Sequence, residues 1–495
     1  MGLGRCSGSV FTRRSFFLIS VFGAACILSL CLLSSCSSVG LNSSGTTTYP
    51  DGAAGTIAID GASSQTVTTL YGQNYWCWDG YGDNMPHVQA LTTSLKLNLY
   101  RAGGYNNDAE KSTGSYGSDP FTGTTAVDTA TIDAYIDYCV AVGAQPVLQV
   151  PIIDNYKQNG GKLDPADAAA IVTYCNKTKS YDVKYWEIGN EPDLYASGGD
   201  LAGYSVARFI ADFQAMASAM KQVDPSIKIL GPELSWMYYP NQTGSNDWLT
   251  PFLQECSGKD SNGNYYVDYL TIHRYPFDAS QCTIANAMGD VKTYNSFVRQ
   301  IQSYIPTRTI GGRDIPFGIT EANISWDGNP SDSIYAASPQ TIYAAMLVVD
   351  TLCAAREQGL WSQFYWSTCE SWTIGFINPS GYSPRPEYYG FKLVTNNMGS
   401  DELKSTPPSG FSVYSSRNGT NTVVMVLNKN ATNNTETFSF SNMGSFGSSP
   451  ISGFSATFPA YSISCVTFPD SGGSPMIYRY SGTEASEGSG PAIVQ

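Results

Sequence analysis

Between residues 71 and 367 the chain repeats one pattern eight times: a short run of apolar, β-branched or aromatic residues, then a longer stretch with helical periodicity. The short runs lie near 71–78, 97–102, 146–153, 183–190, 227–233, 267–275, 317–322 and 360–367 and suit strands. Helix punctuation marks the stretches between them. Asp164-Pro165 opens one, Asp200 opens another that ends near Asp224-Pro225, and Ser338-Pro339 opens a third that ends at Gly359. Eight strand–helix units predict an α/β fold, a (β/α)8 TIM barrel over residues 56–389 that includes short N-terminal strands. A doubly wound open sheet is the competing arrangement, but no Gly-rich phosphate turn follows the first strand.

Beyond about residue 390 the period changes to short alternating runs separated by Gly and Asn turns, among them Thr422-Val423-Val424-Met425-Val426-Leu427 and Phe438-Ser439-Phe440. This texture predicts an accessory C-terminal antiparallel β-sandwich over 390–470, followed by a disordered tail at 471–495. Near the other end, Thr56-Ile57-Ala58-Ile59-Asp60 alternates in the same way and is a candidate partner for the far C-terminus. Residues 37–55, rich in Ser, Gly, Thr and Asn, have the composition of a flexible tether. Residues 1–36 read as an export signal, with Arg13-Arg14 ahead of an apolar run from 16 to 33. Around Arg13-Arg14 the chain resembles a twin-arginine signal, and Leu33-Ser34-Ser35-Cys36 resembles a bacterial lipobox, in which Cys36 carries a lipid anchor. An ordinary secretory signal or a single membrane anchor is the alternative. Each reading takes the protein out of the cytoplasm, the first to the cell envelope as a lipoprotein and the others to the periplasm or the medium.

Composition narrows the partners. With 14% charged residues and a net charge of −14, the chain offers no clustered basic face for nucleic acid, while its abundant Tyr, Gly, Ser, Thr and Asn suit neutral polar ligands. Only His87 and His273 are histidines and the cysteines show no paired zinc spacing, so no metal is expected. Cys139 and Cys175 are candidates for a disulfide in an exported chain, buried free thiols being the alternative.

A barrel carries its chemistry at the carboxyl ends of its strands. Those ends present Arg101 on the second strand, Asn190 and Glu191 on the fourth, Glu233 on the fifth, His273 and Tyr275 on the sixth, Glu321 and Asn323 on the seventh, and Trp366 on the eighth. Asn190-Glu191-Pro192 follows a strand, and a second strand-end glutamate comes three units later. In this the chain resembles the retaining glycoside hydrolases of the (β/α)8 clan, whose acid/base sits in an Asn-Glu-Pro turn after strand four. That group includes β-glucosidases, cellulases, xylosidases, arabinofuranosidases and heparanase-like β-glucuronidases. Trp186-Glu187-Ile188-Gly189-Asn190-Glu191-Pro192-Asp193, with the sandwich, is most similar to the heparanase-like and xylosidase-like branches. The resemblance implies Glu191 as acid/base, Glu321 as nucleophile, Asn190 on the sugar 2-hydroxyl, and no cofactor.

Retaining hydrolysis needs two carboxyl groups about 5 Å apart, one protonated and one ionised, and strands four and seven can face each other across a barrel mouth. Arg101 and Tyr275 are placed to hold Glu321, His273 to join the same polar shell, and Glu233 to line the cleft and bind substrate hydroxyls. Trp366 and Trp372 are the first candidates for platforms under sugar rings, ahead of Trp76, Trp78, Trp236 and Trp326. A surface lipoprotein that captures glycans without cutting them, and a transglycosylase on the same scaffold, are the alternative functions.

Overall fold

The computed structural model describes residues 40–41, 47–48, 51–75, 81–109, 129–235, 247–327, 336–370, 374–446, 450 and 452–495. The expected signal with Cys36 lies outside them. Met1–Thr48 is a unit of its own, in which Gly40–Leu41 pairs antiparallel with Thr47–Thr48. Tyr49–Gln495 forms the second unit.

In that second unit, eight parallel strands close into a barrel in chain order. They are Leu70–Tyr75, Leu99–Ala102, Gln145–Val150, Tyr185–Ile188, Lys228–Leu234, Tyr269–Arg274, Phe317–Ala322 and Ser362–Tyr365, barrel strands one to eight, and the eighth pairs back onto the first. Alternation along each strand sorts the interior into layers. Leu99, Val147, Tyr185, Leu230, Trp361 and Phe364 form one buried apolar cluster. Gly72 makes room for it, since a Cβ there would stand 2.1 Å from the Phe364 ring. Two residues further along their strands, Asn74, Arg101, Gln149 and Glu187 repeat the inward direction, all buried. A polar layer therefore rests on an apolar one, toward the carboxyl ends.

Helix starts follow local capping. Pro165–Val172 begins at Asp164, whose Oδ1 accepts from Ala166 N at 3.0 Å. Val206–Val223 starts at Ser205 rather than Asp200, because Tyr195–Gly198 is a separate short helix closed by Gly199 in the left-handed conformation. Ile342–Glu357 starts after Thr341 rather than Ser338.

Ile377–Asn378 and Ser383–Pro384 pair as a two-stranded sheet, and nine further strands form an almost wholly antiparallel sheet. Its order is Ser455–Phe458, Asn434–Ser441, Gly55–Thr66, Asp401–Thr406, Phe411–Asn418, Asn421–Asn428, Ser462–Pro469, Met476–Ser481, Ala492–Ile493. Four strands separate the one carrying Phe438 from the one carrying Phe468, yet their ring centroids are 4.9 Å apart. The sheet bends double around Ile57, Leu403, Val424, Phe458 and Val466, which is the sandwich.

Four expected boundaries change. Gly55–Thr66 belongs to the sandwich, between Asp401–Thr406 and Asn434–Ser441, and not to the barrel. The tether does not extend to residue 55, since Asp51 bridges to Asn433 and Gly52 N donates to Asn433 O at 2.7 Å. The barrel's last helix, Pro386–Asn397, runs past residue 389, with Gly390 close against the Ala345 carbonyl. The 471–495 segment is no disordered tail. Met476–Ser481 pairs along Ser462–Pro469 and buries Ile477 in the sandwich core on one face and Tyr480 against the barrel's core on the other, a strand that the surrounding Gly and Ser obscure. Arg356–Glu402 at 2.9 Å and Tyr414 Oη donating to Asp350 Oδ1 at 2.7 Å fasten sandwich to barrel. Cys139 and Cys175 are buried free thiols, each held in the barrel core from its own helical segment, so the expected bridge does not form.

Candidate active site

Arg101 is the hub of the polar layer. Fully buried, it donates from Nε to Glu187 Oε2 at 2.6 Å, from Nη1 to Asn74 Oδ1 at 2.8 Å and Glu321 Oε1 at 2.6 Å, and from Nη2 to Asn190 Oδ1 at 3.0 Å. Tyr275 Oη donates to the other Glu321 oxygen at 2.9 Å. Both oxygens of Glu321 are thus aimed and held.

His273 lies between three carboxylates. Nδ1 is 2.9 Å from Glu191 Oε1 and 3.5 Å from Glu321 Oε2, and Nε2 is 3.2 Å from Glu233 Oε2. Burial lowers the imidazole pKa, but Glu321, Glu191 and Glu233 outweigh it and raise it to about 10. Because the folded value lies above the ordinary 6.5, the stability this group contributes is complete below pH 6.5 and lost as pH rises through about 10. Calorimetry should therefore show Tm falling across that interval, and falling less steeply in His273→Gln.

The acid-bearing turn is fixed by backbone. Glu191 has φ 52° and ψ 52°, left-handed for a non-glycine residue, and its N–H donates to Glu233 O at 2.9 Å. Asp193 receives Ser235 N at 3.0 Å and Ser235 Oγ at 2.5 Å, tying the turn to the end of barrel strand five. The Glu191 side chain is 23% exposed, more open than the 7% of Glu321.

Glu233 departs from expectation. It is fully buried and accepts from Thr271 Oγ1 and Thr320 Oγ1 besides facing His273, so it anchors the imidazole and does not reach substrate. Burial opposes its ionisation, but the His273 contact and the Arg101 charge prevail and lower its pKa. Neither His273 nor Arg101 is exposed, so both serve the carboxylates and not the sugar. Asn190 spends its oxygen on Arg101, and its NH2 group has no acceptor among the described residues. Trp366 is 7% exposed, and its indole fills the place of the side chain Gly104 lacks, 2.7 Å from where a Cβ would be. Trp372, Trp76, Trp78 and Trp236 lie outside the described residues.

Glu187 and Asn74 were not expected at the site. An acidic residue on the inward face of a buried strand, in register with Tyr185, is the signal that marks Glu187. Burial raises its pKa to about 8, against the pull of Arg101. Among the described residues, the set spaced to hold a metal ion is Glu191, His273 and Glu321, within 4.8 Å of one another.

Residues 171–373, somewhat less than half of the chain, match the model of the family described as glycosyl hydrolases family 39. The protein is a glycosidase. No curated protein sequence matches it. Among the solved structures that share the glycosidase's fold are three glycoside-cleaving enzymes. CelM2, a bifunctional glucanase-xylanase from a metagenome library, is 16% identical over 84% of this chain and 99% of its own, with a TM-score of 0.63. An α-L-arabinofuranosidase from Thermotoga maritima is 14% identical over 83% and 97%, with a TM-score of 0.57. A family 39 β-xylosidase from Caulobacter crescentus is 16% identical over 78% and 84%, with a TM-score of 0.53.

Proposed function

We propose that Glu191 is the acid/base and Glu321 the nucleophile of a double displacement. The observation that carries this is the spacing: ligand oxygens of the two carboxylates lie within 4.8 Å of each other. Retaining enzymes hold their carboxyl groups about 5–5.5 Å apart, whereas inverting enzymes leave about 6.5–9.5 Å for a water. Glu321 bonds to the anomeric carbon as the glycosidic C–O bond breaks, and Glu191 protonates the departing oxygen. Water then gives a proton to Glu191 and displaces Glu321. His273 Nδ1 faces Glu191 at 2.9 Å while Nε2 faces Glu233, so the imidazole holds the Glu191 carboxyl at the side of the departing oxygen. The Asn190 NH2 group is free for the sugar 2-hydroxyl, Tyr275 reaches the same space, and Trp366 supplies an apolar wall.

The likeness to a glucanase-xylanase, a β-xylosidase and an arabinofuranosidase supports a β-linked or arabinofuranosidic bond of a plant or microbial polysaccharide as the target. The Arg13-Arg14 pair and the Leu33-Ser34-Ser35-Cys36 motif support an exported, lipid-anchored enzyme. The test is stereochemical. With the mature protein and a panel of aryl glycosides, NMR taken before mutarotation should show the first-formed sugar with the anomeric configuration of the substrate. An inverted first product would overturn the double displacement.

A further inference from the structure

Asp108 is fully buried in the short helix Tyr105–Ala109 after barrel strand two, outside the Arg101–His273 network. Its Oδ1 accepts from Ile152 N at 2.5 Å and Ile153 N at 3.2 Å, and its Oδ2 from Asn190 N at 3.2 Å and from Tyr195 Oη. All four partners are donors and none is a cation. Ile152 and Ile153 follow barrel strand three, while Asn190 and Tyr195 belong to the segment after strand four that carries Glu191. One carboxylate thus gathers three successive loops at the mouth of the barrel.

A purely structural tie among these loops does not call for a charge. Burying a carboxylate with no cation beside it is unfavourable, and burial accordingly raises the Asp108 pKa to about 7 against its four hydrogen bonds. That cost falls beside the one turn whose conformation matters to the chemistry. Glu191 is in the left-handed region, where a non-glycine residue persists only if its surroundings over-determine it. Its own N–H is fixed by Glu233 O, and the preceding N–H, that of Asn190, by Asp108 and by Tyr195 Oη at 3.0 Å. Gly189 completes the fit, since a Cβ there would stand 2.6 Å from Tyr195 Oη.

We infer that Asp108 is a positioning residue for the general acid: its carboxylate, with Tyr195, sets the Asn190-Glu191 backbone so that the Glu191 carboxyl meets the departing oxygen. This rests on Glu191 being the acid. Asp108→Asn replaces one acceptor by an NH2 group that faces donors, and the turn must shift.

A merely structural defect would slow every substrate alike. Loss of acid positioning slows only those whose leaving group needs a proton. In Asp108→Asn, kcat/KM for a glycoside with an alkyl or sugar leaving group should fall roughly 10- to 100-fold, while a 2,4-dinitrophenyl glycoside should lose no more than about threefold. Tyr195→Phe should shift the two substrates in the same direction by less, and it carries the test if Asp108→Asn does not fold. In a Glu191→Gln background, Asp108→Asn should add almost nothing. Equal losses on both substrates, or full additivity with Glu191→Gln, would overturn the inference. If Glu191→Gln itself slows both substrates alike, the acid assignment fails, and this inference with it.

Discussion

Glu321→Gly is expected to lower turnover of an activated aryl glycoside by roughly a thousandfold or more, and added azide is expected to restore much of it. The residue has no substitute nearby. Its oxygens are held by Arg101 and Tyr275, and the closest other carboxylate in the cleft, Glu191, belongs to the opposite side of the reaction. Deleting the side chain leaves a small space lined by a guanidinium and a phenol, suited to a small anion. Azide entering there attacks the face that Glu321 used, so the glycosyl azide formed should have the anomeric configuration opposite to the substrate. In Glu191→Ala, azide should instead react with the glycosyl-enzyme from the other face and yield the retained azide. NMR of the two products reads both assignments at once. Activity near that of the parent in Glu321→Gly, or a retained azide from it, would remove Glu321 as nucleophile.

Arg101→Met should be the most destabilising single change within the site. The guanidinium is wholly buried and neutralises Glu187 and Glu321, with Glu233 close by. Taking one partner from a buried ion pair typically costs about 3–5 kcal/mol because the remaining charge is uncompensated. The midpoint of denaturant unfolding should drop accordingly, and less at pH 5 than at pH 8, because Glu187, whose pKa burial already raises to about 8, is protonated at the lower pH. Adding Glu187→Leu should recover part of the stability but little activity, since Glu321 is still unheld. A variant as stable as the parent would mean that Arg101 does not organise this layer.

Some of this arrangement is visible in one dimension. Strands buried on both faces and separated by helices leave eight apolar runs, and all eight expected runs coincide with barrel strands. Strand ends are also readable, which is why Glu191, Glu321, Arg101, His273 and Tyr275 come together where those ends meet. Depth is not readable. Glu233 stands at a strand end like Glu321, yet the short side chains of Thr271 and Thr320 let it sink beneath His273. Asp108 lies in a five-residue helix with no periodicity of its own, and its meaning comes from three loops distant in sequence.

By itself, the sequence determined which segments are strands, that eight of them alternate with helices, and that two glutamates end strands four and seven. Alternation, capping and turn chemistry act within a few residues, so they leave a local record. The tertiary structure alone decided which carboxylate faces the cleft and which is buried, that Arg101 joins Glu187 to Glu321, and that residues near 60 and near 480 share one sheet. Those facts depend on barrel closure and sheet register, which set contacts between residues tens to hundreds of positions apart and follow from burying side chains together rather than from any pattern along the chain.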